Sequence, residues 1–283
     1  MTLPEIAKIL TDAGIGDGRF EAGLLISHFT GVSRASMLAD PMRDYDAPGL
    51  ADAVKKRARR YPLQYILGTW DFMGLTFTVN ENCLIPRPDT ECVTEAAISA
   101  LSDGGRVLDL CTGSGCIIAS VLHYTKNTTG CAVELYPGTA DLARKNISDL
   151  GLSDRCTVIT GDAAADLFPE TEKFRVIVSN PPYIAKDEME TLEPELDYEP
   201  RAALTDEGNG LSLIGSIIRI YKHHLTEDGV LILEHGWKQS DAVGEIARQN
   251  GMTAQIIRDF GGNIRGCILK AQRSPADSGT TLN

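Results

Sequence analysis

The chain of 283 residues has no apolar run of membrane-spanning length. Its first ten residues carry Glu5 and Lys8 in a short mixed pattern, without the basic start and long apolar stretch of a secretory signal. A cytoplasmic location is the resulting expectation. Metal-binding spacing is lacking as well. The seven cysteines (83, 92, 111, 116, 131, 156 and 267) form no C-x-x-C pair and no Cys/His cluster of zinc-finger type. Their apolar contexts read as buried free thiols, and no metal is expected. Positive charge is scarce: 27 Lys and Arg stand against 39 Asp and Glu, a net charge of -12. Such a surface is repelled by bare phosphates, so no direct nucleic acid partner is expected.

The deficit is uneven. Residues 1–85 hold nine basic and ten acidic residues, and the remainder holds 18 and 29. The one basic run, Lys55-Lys56-Arg57-Ala58-Arg59-Arg60, reads as a solvated helix face, with a docking patch as the alternative.

Two textures divide the chain. Residues 1–67 read as a small helical domain. Ile6, Ile9 and Leu10 fit one stripe, and Phe20, Leu24, Leu25, His28 and Phe29 another; glycines 14, 16 and 18 break between them. Residues 68–85 carry Thr69, Trp70, Phe72, Leu75, Phe77 and Val79 around Gly74, a β-hairpin linker in which Trp70 is a packing residue. Residues 86–273 alternate strand and helix. Strands are expected at 106–110, 130–134, 156–160, 175–179 and 230–234, with a helix at 137–150 among the intervening segments. Alternation of this kind makes an α/β fold with a mostly parallel sheet covered on both faces. Segments 253–258 and 265–270 flank Phe260-Gly261-Gly262-Asn263, which predicts an antiparallel hairpin at the C-terminal edge. The Ser/Thr/Gly/Asp-rich residues 274–283 read as a disordered tail.

In open α/β sheets ligands bind at the carboxyl ends of the strands, near the switch in strand order. The first strand runs through Asp109 into Cys111-Thr112-Gly113-Ser114-Gly115; Asp109 and the loop are candidate cofactor contacts, and the glycines permit positive φ and close backbone approach. Glu134 ends the next strand, where a carboxylate can accept from both hydroxyls of a ribose. Asp162, beside Ala163 after the third strand, either faces an exocyclic amine of a base or caps a helix.

The strand at 175–179 delivers Asn180-Pro181-Pro182-Tyr183 to the same edge. An amide nitrogen is a poor nucleophile because its lone pair is delocalised. Two acceptors aimed at its two N–H bonds can hold it and favour a more pyramidal shape. Asn180 Oδ1 and the Pro181 carbonyl are such acceptors, and prolines hold their carbonyls rigidly without adding a donor. Tyr183 offers a flat face to a planar group. Transfer from a sulfonium then needs mainly alignment. An aromatic amine fits the same two acceptors, so an adenine-N6 methyltransferase is the alternative. No target-recognition domain is evident for it.

With these residues the chain resembles the bacterial release factor glutamine methyltransferases. The likeness is carried by Asp109 to Gly115, by Asn180 to Tyr183 and by Ile85-Pro86-Arg87-Pro88-Asp89-Thr90-Glu91. It extends through Pro62 to Gly68, Glu199 to Leu204 and Leu233 to Trp237. The resemblance implies a Rossmann-like class I methyltransferase domain behind a helical substrate-recognition domain. It implies S-adenosyl-L-methionine as cofactor, with S-adenosyl-L-homocysteine as product, and class I peptide chain release factors as protein substrates, modified at N5 of the glutamine in their GGQ motif. A relative acting on a ribosomal protein usually departs from the 85–91 segment. The resemblance carries cofactor contacts onto residues 111–115, Glu134 and Asn180, and glutamine binding onto Asn180 to Tyr183. Arg87 and Glu91 are added from position as pocket walls, with a solvent-exposed, salt-bridged turn as the alternative. Three residues depart from the family's habit: Cys111 replaces a glycine, Glu134 an aspartate, and Ala163 an aromatic residue of some members.

Overall fold

The computed structural model describes residues 1–272, so the expectation for the tail at 274–283 lies outside the described residues. Five helices come first: α1 (Leu3–Asp12), α2 (Gly18–Thr30), α3 (Arg34–Ala39), α4 (Leu50–Ala58) and α5 (Leu63–Leu67). The first opens on a capping box, in which Thr2 accepts from the Glu5 N–H and the Glu5 side chain returns to the Thr2 N–H. Leu3, Ile6, Leu10, Leu25, Ile26, Met37 and Val54 share one small core. The buried face of α2 is Ala22, Leu25 and Ile26; of the predicted stripe Leu25 is buried and Leu24 and Phe29 pack at the core's margin, while Phe20 is 46 % exposed and His28 lies outside. Both stripes are helical in period. Which one faces inward is set by the neighbouring helices.

The basic run corrects a second expectation. Arg57 is buried and donates to Glu21 (Nε–Oε2 2.5 Å) and to Glu195 (2.9 Å), while Arg60 donates to Glu195 (2.7 Å) and to the Gly14 carbonyl. The run is divided: Arg57 and Arg60 form a junction with residue 195, while Arg59 is solvated as expected. Lys55 and Lys56 are exposed.

The hairpin follows as β1 (Thr69–Phe72) and β2 (Leu75–Thr78). Met73 and Gly74 both have positive φ, +52° and +74°, the two-residue turn that matches the twist of paired strands. Trp70 packs with Val79, Cys83 and Leu142, as a packing residue should.

The α/β part contains α6 (Glu91–Ala100), β3 (Gly105–Leu110), α7 (Cys116–Tyr124), β4 (Thr128–Glu134), α8 (Pro137–Asp149), β5 (Cys156–Thr160), β6 (Phe174–Ser179), α9 (Arg201–Leu204), α10 (Ser212–Tyr221), β7 (Leu225–Glu234), α11 (Ser240–Gln249), β8 (Met252–Arg258) and β9 (Ile264–Ala271). The strands form one sheet in the order β5-β4-β3-β6-β7-β9-β8. Pairs from β5 to β7 are parallel, and β9 is antiparallel to both β7 and β8. This is the mostly parallel sheet with an antiparallel C-terminal hairpin that the alternation predicts.

Alternate strand residues serve two cores. Val107, Ala132, Val176 and Ile232 face α6, α7 and α8. Leu108, Val133, Ile177 and Leu233 face α10 and α11. Strands buried on both faces read as nearly continuous apolar runs, as these do. Chain order reverses between β3 and β6, so the crevice lies beyond Leu110 and Ser179. The Ser179 hydroxyl donates to the Leu110 carbonyl (2.7 Å) and ties the two strand ends together. Five of the seven cysteines are buried, and all seven are free thiols. Among the described residues no helix is long and apolar enough to cross a membrane.

Candidate active site

A crevice opens at the switch point, spanning about 940 Å³ with the open solvent at its mouth included. Its lining includes Arg87, Thr90, Cys111, Glu134, Asn180 and Pro182. Three segments far apart in the sequence therefore share one crevice: the turn before α6, the loop after β3, and the tetrapeptide after β6.

The loop after β3 contains three left-handed residues in five, Cys111 (φ +60°), Gly113 (+56°) and Gly115 (+81°). A Cβ at Gly113 would meet nothing within 4 Å, so that backbone borders open space. Cys111 lines the cavity in a conformation that suits glycine, which accounts for the glycine of the family it resembles. Burial pushes its thiol up to about 12, so it stays protonated and unreactive.

Asp109 is fully buried beneath the loop and does not line the cavity. Its Oδ2 accepts from the Thr112 hydroxyl (2.5 Å) and the Ile118 N–H (3.3 Å), which braces the loop on the first turn of α7. Burial pushes its acid up to about 7, and these two bonds oppose the rise.

Glu134 lines the cavity from the end of β4. Its Oε2 accepts from the Gly113 N–H (3.0 Å) and its Oε1 from the Tyr136 N–H (3.1 Å). Each carboxylate oxygen keeps a further lone pair for a hydroxyl. Asp162 caps no helix, because turns follow it up to β6; its Oδ1 accepts from the Ala164 N–H (2.8 Å) within such a turn, and it lines the cavity with Ala163. Ala163 leaves space where a large ring would stand.

The tetrapeptide is clamped on several sides. Asn180 lines the cavity, and its Nδ2 donates to the Thr90 hydroxyl (3.3 Å), which occupies the donor end and leaves Oδ1 to accept. Pro181 is buried, and Pro182 lines the cavity. Tyr183 is not on the cavity lining; its hydroxyl donates to Glu234 Oε1 (3.0 Å) and its carbonyl accepts from Gln239 (2.8 Å). Gly210 passes so near that a Cβ there would lie 1.9 Å from the Tyr183 carbonyl oxygen.

Of the residues added by position, Arg87 reaches the cavity and Glu91 does not. Arg87 pairs with Glu199, whose other oxygen accepts from the Ile85 N–H (2.9 Å). Glu91 instead accepts from the Met73 N–H (3.1 Å) and holds the hairpin turn, because α6 aims its first turn at β1 and β2. Sequence reasoning gave no role to Thr90, Glu199, Gly210, Glu234 or Gln239. A carboxylate ending the apolar run Val230-Leu231-Ile232-Leu233-Glu234 was a visible signal, the same one that singled out Glu134.

Comparisons with known proteins point to one family. Residues 2–68 match the PrmC N-terminal domain and residues 90–225 the methyltransferase small domain. The chain is 37 % identical over 257 residues to a release factor glutamine methyltransferase of Bordetella pertussis, covering 89 % of this chain and 93 % of that protein. It is 32 % identical over 280 residues to one of Caulobacter vibrioides, covering 95 % and 94 %. Among solved structures, the hMettl16 catalytic domain in complex with an RNA hairpin superposes with a TM-score of 0.57 at 20 % identity, over 79 % of this chain and 83 % of that one. At that identity the likeness speaks for the fold alone.

Proposed function

This chain belongs to the release factor glutamine methyltransferases, and on that premise we propose how its site carries out the transfer. The reaction moves a methyl group from S-adenosyl-L-methionine to the side-chain amide N5 of the GGQ glutamine in class I peptide chain release factors. The cytoplasm, where release factors work, is the proposed location.

The residues fit the cofactor. The Cβ-free backbone at Gly113 and the Glu134 carboxylate suit the amino-acid and ribose parts, and Asp162 with Ala163 borders the space for the base. Bound there, S-adenosyl-L-methionine supplies a methyl group on a sulfonium, which needs no activation by the protein.

The protein's work lies on the other partner. Asn180 Oδ1 and the Pro181 carbonyl accept the two N–H bonds of the substrate amide and orient its nitrogen. The proline ring fixes that carbonyl and brings no competing donor. Holding the nitrogen in line lowers the barrier by removing freedom before the reaction. A strong general base is unnecessary, because an N-alkylated, protonated amide is itself very acidic. Arg87 and Pro182 bound the cavity through which the glutamine side chain enters. The observation that carries the reading is the Asn180 amide, tied by its donor end to Thr90 and so left with an acceptor at the cavity.

Mass spectrometry of a release factor incubated with enzyme and cofactor tests it. One methyl group is expected on the GGQ glutamine with wild type, and Asn180→Ala lowers kcat by at least about a hundredfold, the scale for losing an oriented polar contact in the transition state. Label in DNA or RNA with none in the release factor would reject the assignment.

A further inference from the structure

Among the described residues Arg87 is the only lysine, arginine or histidine that lines the crevice, which otherwise offers the carboxylates of Glu134 and Asp162. The transfer as described gives its charge no task. The Arg87 side chain is 35 % exposed, and its Nη2 donates to Glu199 Oε1. Its Nε and Nη1 have no partner among the described residues. A guanidinium is a rigid fork of N–H donors and cannot accept. The N–H groups on Nε and Nη1 thus remain for an acceptor that enters the crevice.

Glu199 fixes the aim of that fork. Its side chain is fully buried and both oxygens are engaged: Oε2 accepts from the Ile85 N–H (2.9 Å) and Oε1 from Arg87. The carboxylate therefore ties the guanidinium to the main chain two residues before it. Burial raises the Glu199 acid, and the Arg87 charge and the Ile85 N–H oppose the rise. Glu199 itself stands on a braced turn, the 3-10 helix Pro194–Tyr198, whose Leu196 carbonyl accepts from the Glu199 N–H (3.1 Å). Glu195 of that turn is held by Arg57 and Arg60, and the Tyr198 hydroxyl donates to the Arg59 carbonyl (3.1 Å). Arg87 also belongs to the turn that holds the tetrapeptide. Its carbonyl accepts from the Thr90 N–H (3.1 Å), and the Thr90 hydroxyl accepts from Asn180. The cation and the amide acceptor are thus fixed relative to one another.

The chain beyond Glu199 supplies the neighbouring wall. Pro200, Ala202 and Ala203 line the crevice, and none of them has a polar side chain. A ligand at this place meets charged donors and small apolar groups. That combination suits a stretch of main chain that offers carbonyl oxygens and few side-chain atoms. The GGQ motif is such a stretch. Its two glycines leave their carbonyls unshielded by a Cβ and let the backbone come close. We propose that Arg87 donates to the main-chain carbonyls of the glycines that precede the substrate glutamine, and that buried Glu199 is the positioning residue that aims it. This rests on the reading of Asn180 as the glutamine acceptor.

The test compares full-length wild type, Arg87→Met, Glu199→Gln and the double variant. It measures kcat and KM for methylation of an intact release factor, and cofactor affinity by calorimetry. Arg87→Met keeps an unbranched side chain at a partly exposed place, so folding is not at risk. Its KM should rise at least about tenfold, with cofactor affinity within about twofold of wild type. Glu199→Gln keeps an oxygen for the Ile85 N–H but loses the charge that holds the guanidinium, and should raise KM about fivefold. In the double variant the second substitution should add nothing, because Glu199 acts through Arg87. A rise in KM from Glu199→Gln that is as large in the Arg87→Met background as in wild type would overturn the positioning role and mark a merely structural one. An unchanged KM in Arg87→Met would overturn the proposal, as would a loss lodged in cofactor affinity, which would assign the guanidinium to the carboxylate of the cofactor. Those results leave the glutamine reading standing. Wild type that transfers no methyl group to the release factor would overturn that reading itself, and this proposal with it.

Discussion

At Cys111 a side chain stands where the backbone prefers none. Its φ of +60° places it in the left-handed region, which costs an L-residue roughly 1–2 kcal/mol and is worst for branched side chains. Cys111→Gly removes that cost and forfeits a small partly buried group, so the two effects nearly cancel. Cys111→Val adds branching at the same φ and should destabilise by about 2 kcal/mol relative to Cys111→Gly, measured by urea denaturation. Equal midpoints for the two variants would contradict the assigned conformation. Asp109 poses a different problem at the same scale. The sequence marked it as a cofactor contact, since it precedes the loop. Strand alternation turns it inward instead, where it holds Thr112 and the Ile118 N–H. Its contribution to the cofactor site runs through the loop's shape.

At the scale of elements, the segment from residue 184 to residue 210 forms the wall behind the tetrapeptide. It is held by the Ile184 N–H on the Leu204 carbonyl (2.9 Å) and the Lys186 N–H on the Gly208 carbonyl (2.9 Å). Asp206 gathers the N–H groups of Gly208, Gly210 and Ser212 at 2.9 to 3.0 Å. Against the effect of partial burial, those bonds hold its acid below the ordinary carboxylate range. Gly210 is the point of closest approach. Gly210→Ala would set a methyl group against the Tyr183 carbonyl at a φ of +74°, so the tetrapeptide must shift. We expect loss of methyl transfer with cofactor binding retained, because the loop after β3 is untouched. Calorimetric affinity and kcat measured on one preparation separate the two.

The same segment reaches the helical domain through Glu195. Arg57 is fixed between Glu21 and Glu195, and its side chain is 6 % exposed. Arg57→Ala strips Glu21 of its cation and leaves Glu195 with Arg60 alone. Breaking a buried pair on one side costs about 3 kcal/mol, a loss that thermal unfolding would register. A loss under about 1 kcal/mol would mean that the junction is wet and the pair screened.

For the whole molecule, two groups of carboxyls pull stability in opposite directions with pH. Glu234 and Asp109 are raised by burial to about 7 from 4.5 and 3.8. A raised acid binds its proton more tightly when folded, so its contribution is present below the unfolded pKa and is lost as pH climbs from about 4 through about 7. Asp259, held near 2 mainly by Arg265, and Glu245, held near 2 by Arg248, act in the reverse sense: their contribution is present above about 4.5 and is lost as pH falls toward 2. Calorimetry should therefore find the highest Tm on the mildly acidic side, near about pH 5, and a lower Tm at pH 8. Glu234→Gln should flatten the decline above about pH 5, with Glu234 accounting for at most about 3 kcal/mol and Asp109 for at most about 4 kcal/mol. The helical domain presents Phe20, Leu38 and Met42 to solvent, and these are the proposed contacts for the body of the release factor. Leu38→Glu should raise KM for intact factor about tenfold and leave a GGQ peptide unaffected; equal KM changes for both substrates would argue against that surface.

What the sequence determined alone is whatever its local pattern encodes. Apolar runs bounded by turns yielded the parallel strands, and glycines with an acidic residue marked the loop after β3 and the end of β4. A stiff Asn-Pro-Pro-Tyr segment after a buried strand pointed to the edge of the sheet where Asn180 and Pro182 line the cavity. Such signals work because the alternation of a strand, the φ of proline and the freedom of glycine are properties of a few adjacent residues. Tertiary packing alone decided which helix faces turn inward, that Glu91 serves the hairpin while Arg87 serves the cavity, and that Arg57 is buried. It also brought Thr90 to Asn180 across 90 residues and Tyr183 to Glu234 across 51. A hydrogen bond or ion pair between distant residues exists only once the intervening chain has folded, and no local periodicity records which donor will meet which acceptor.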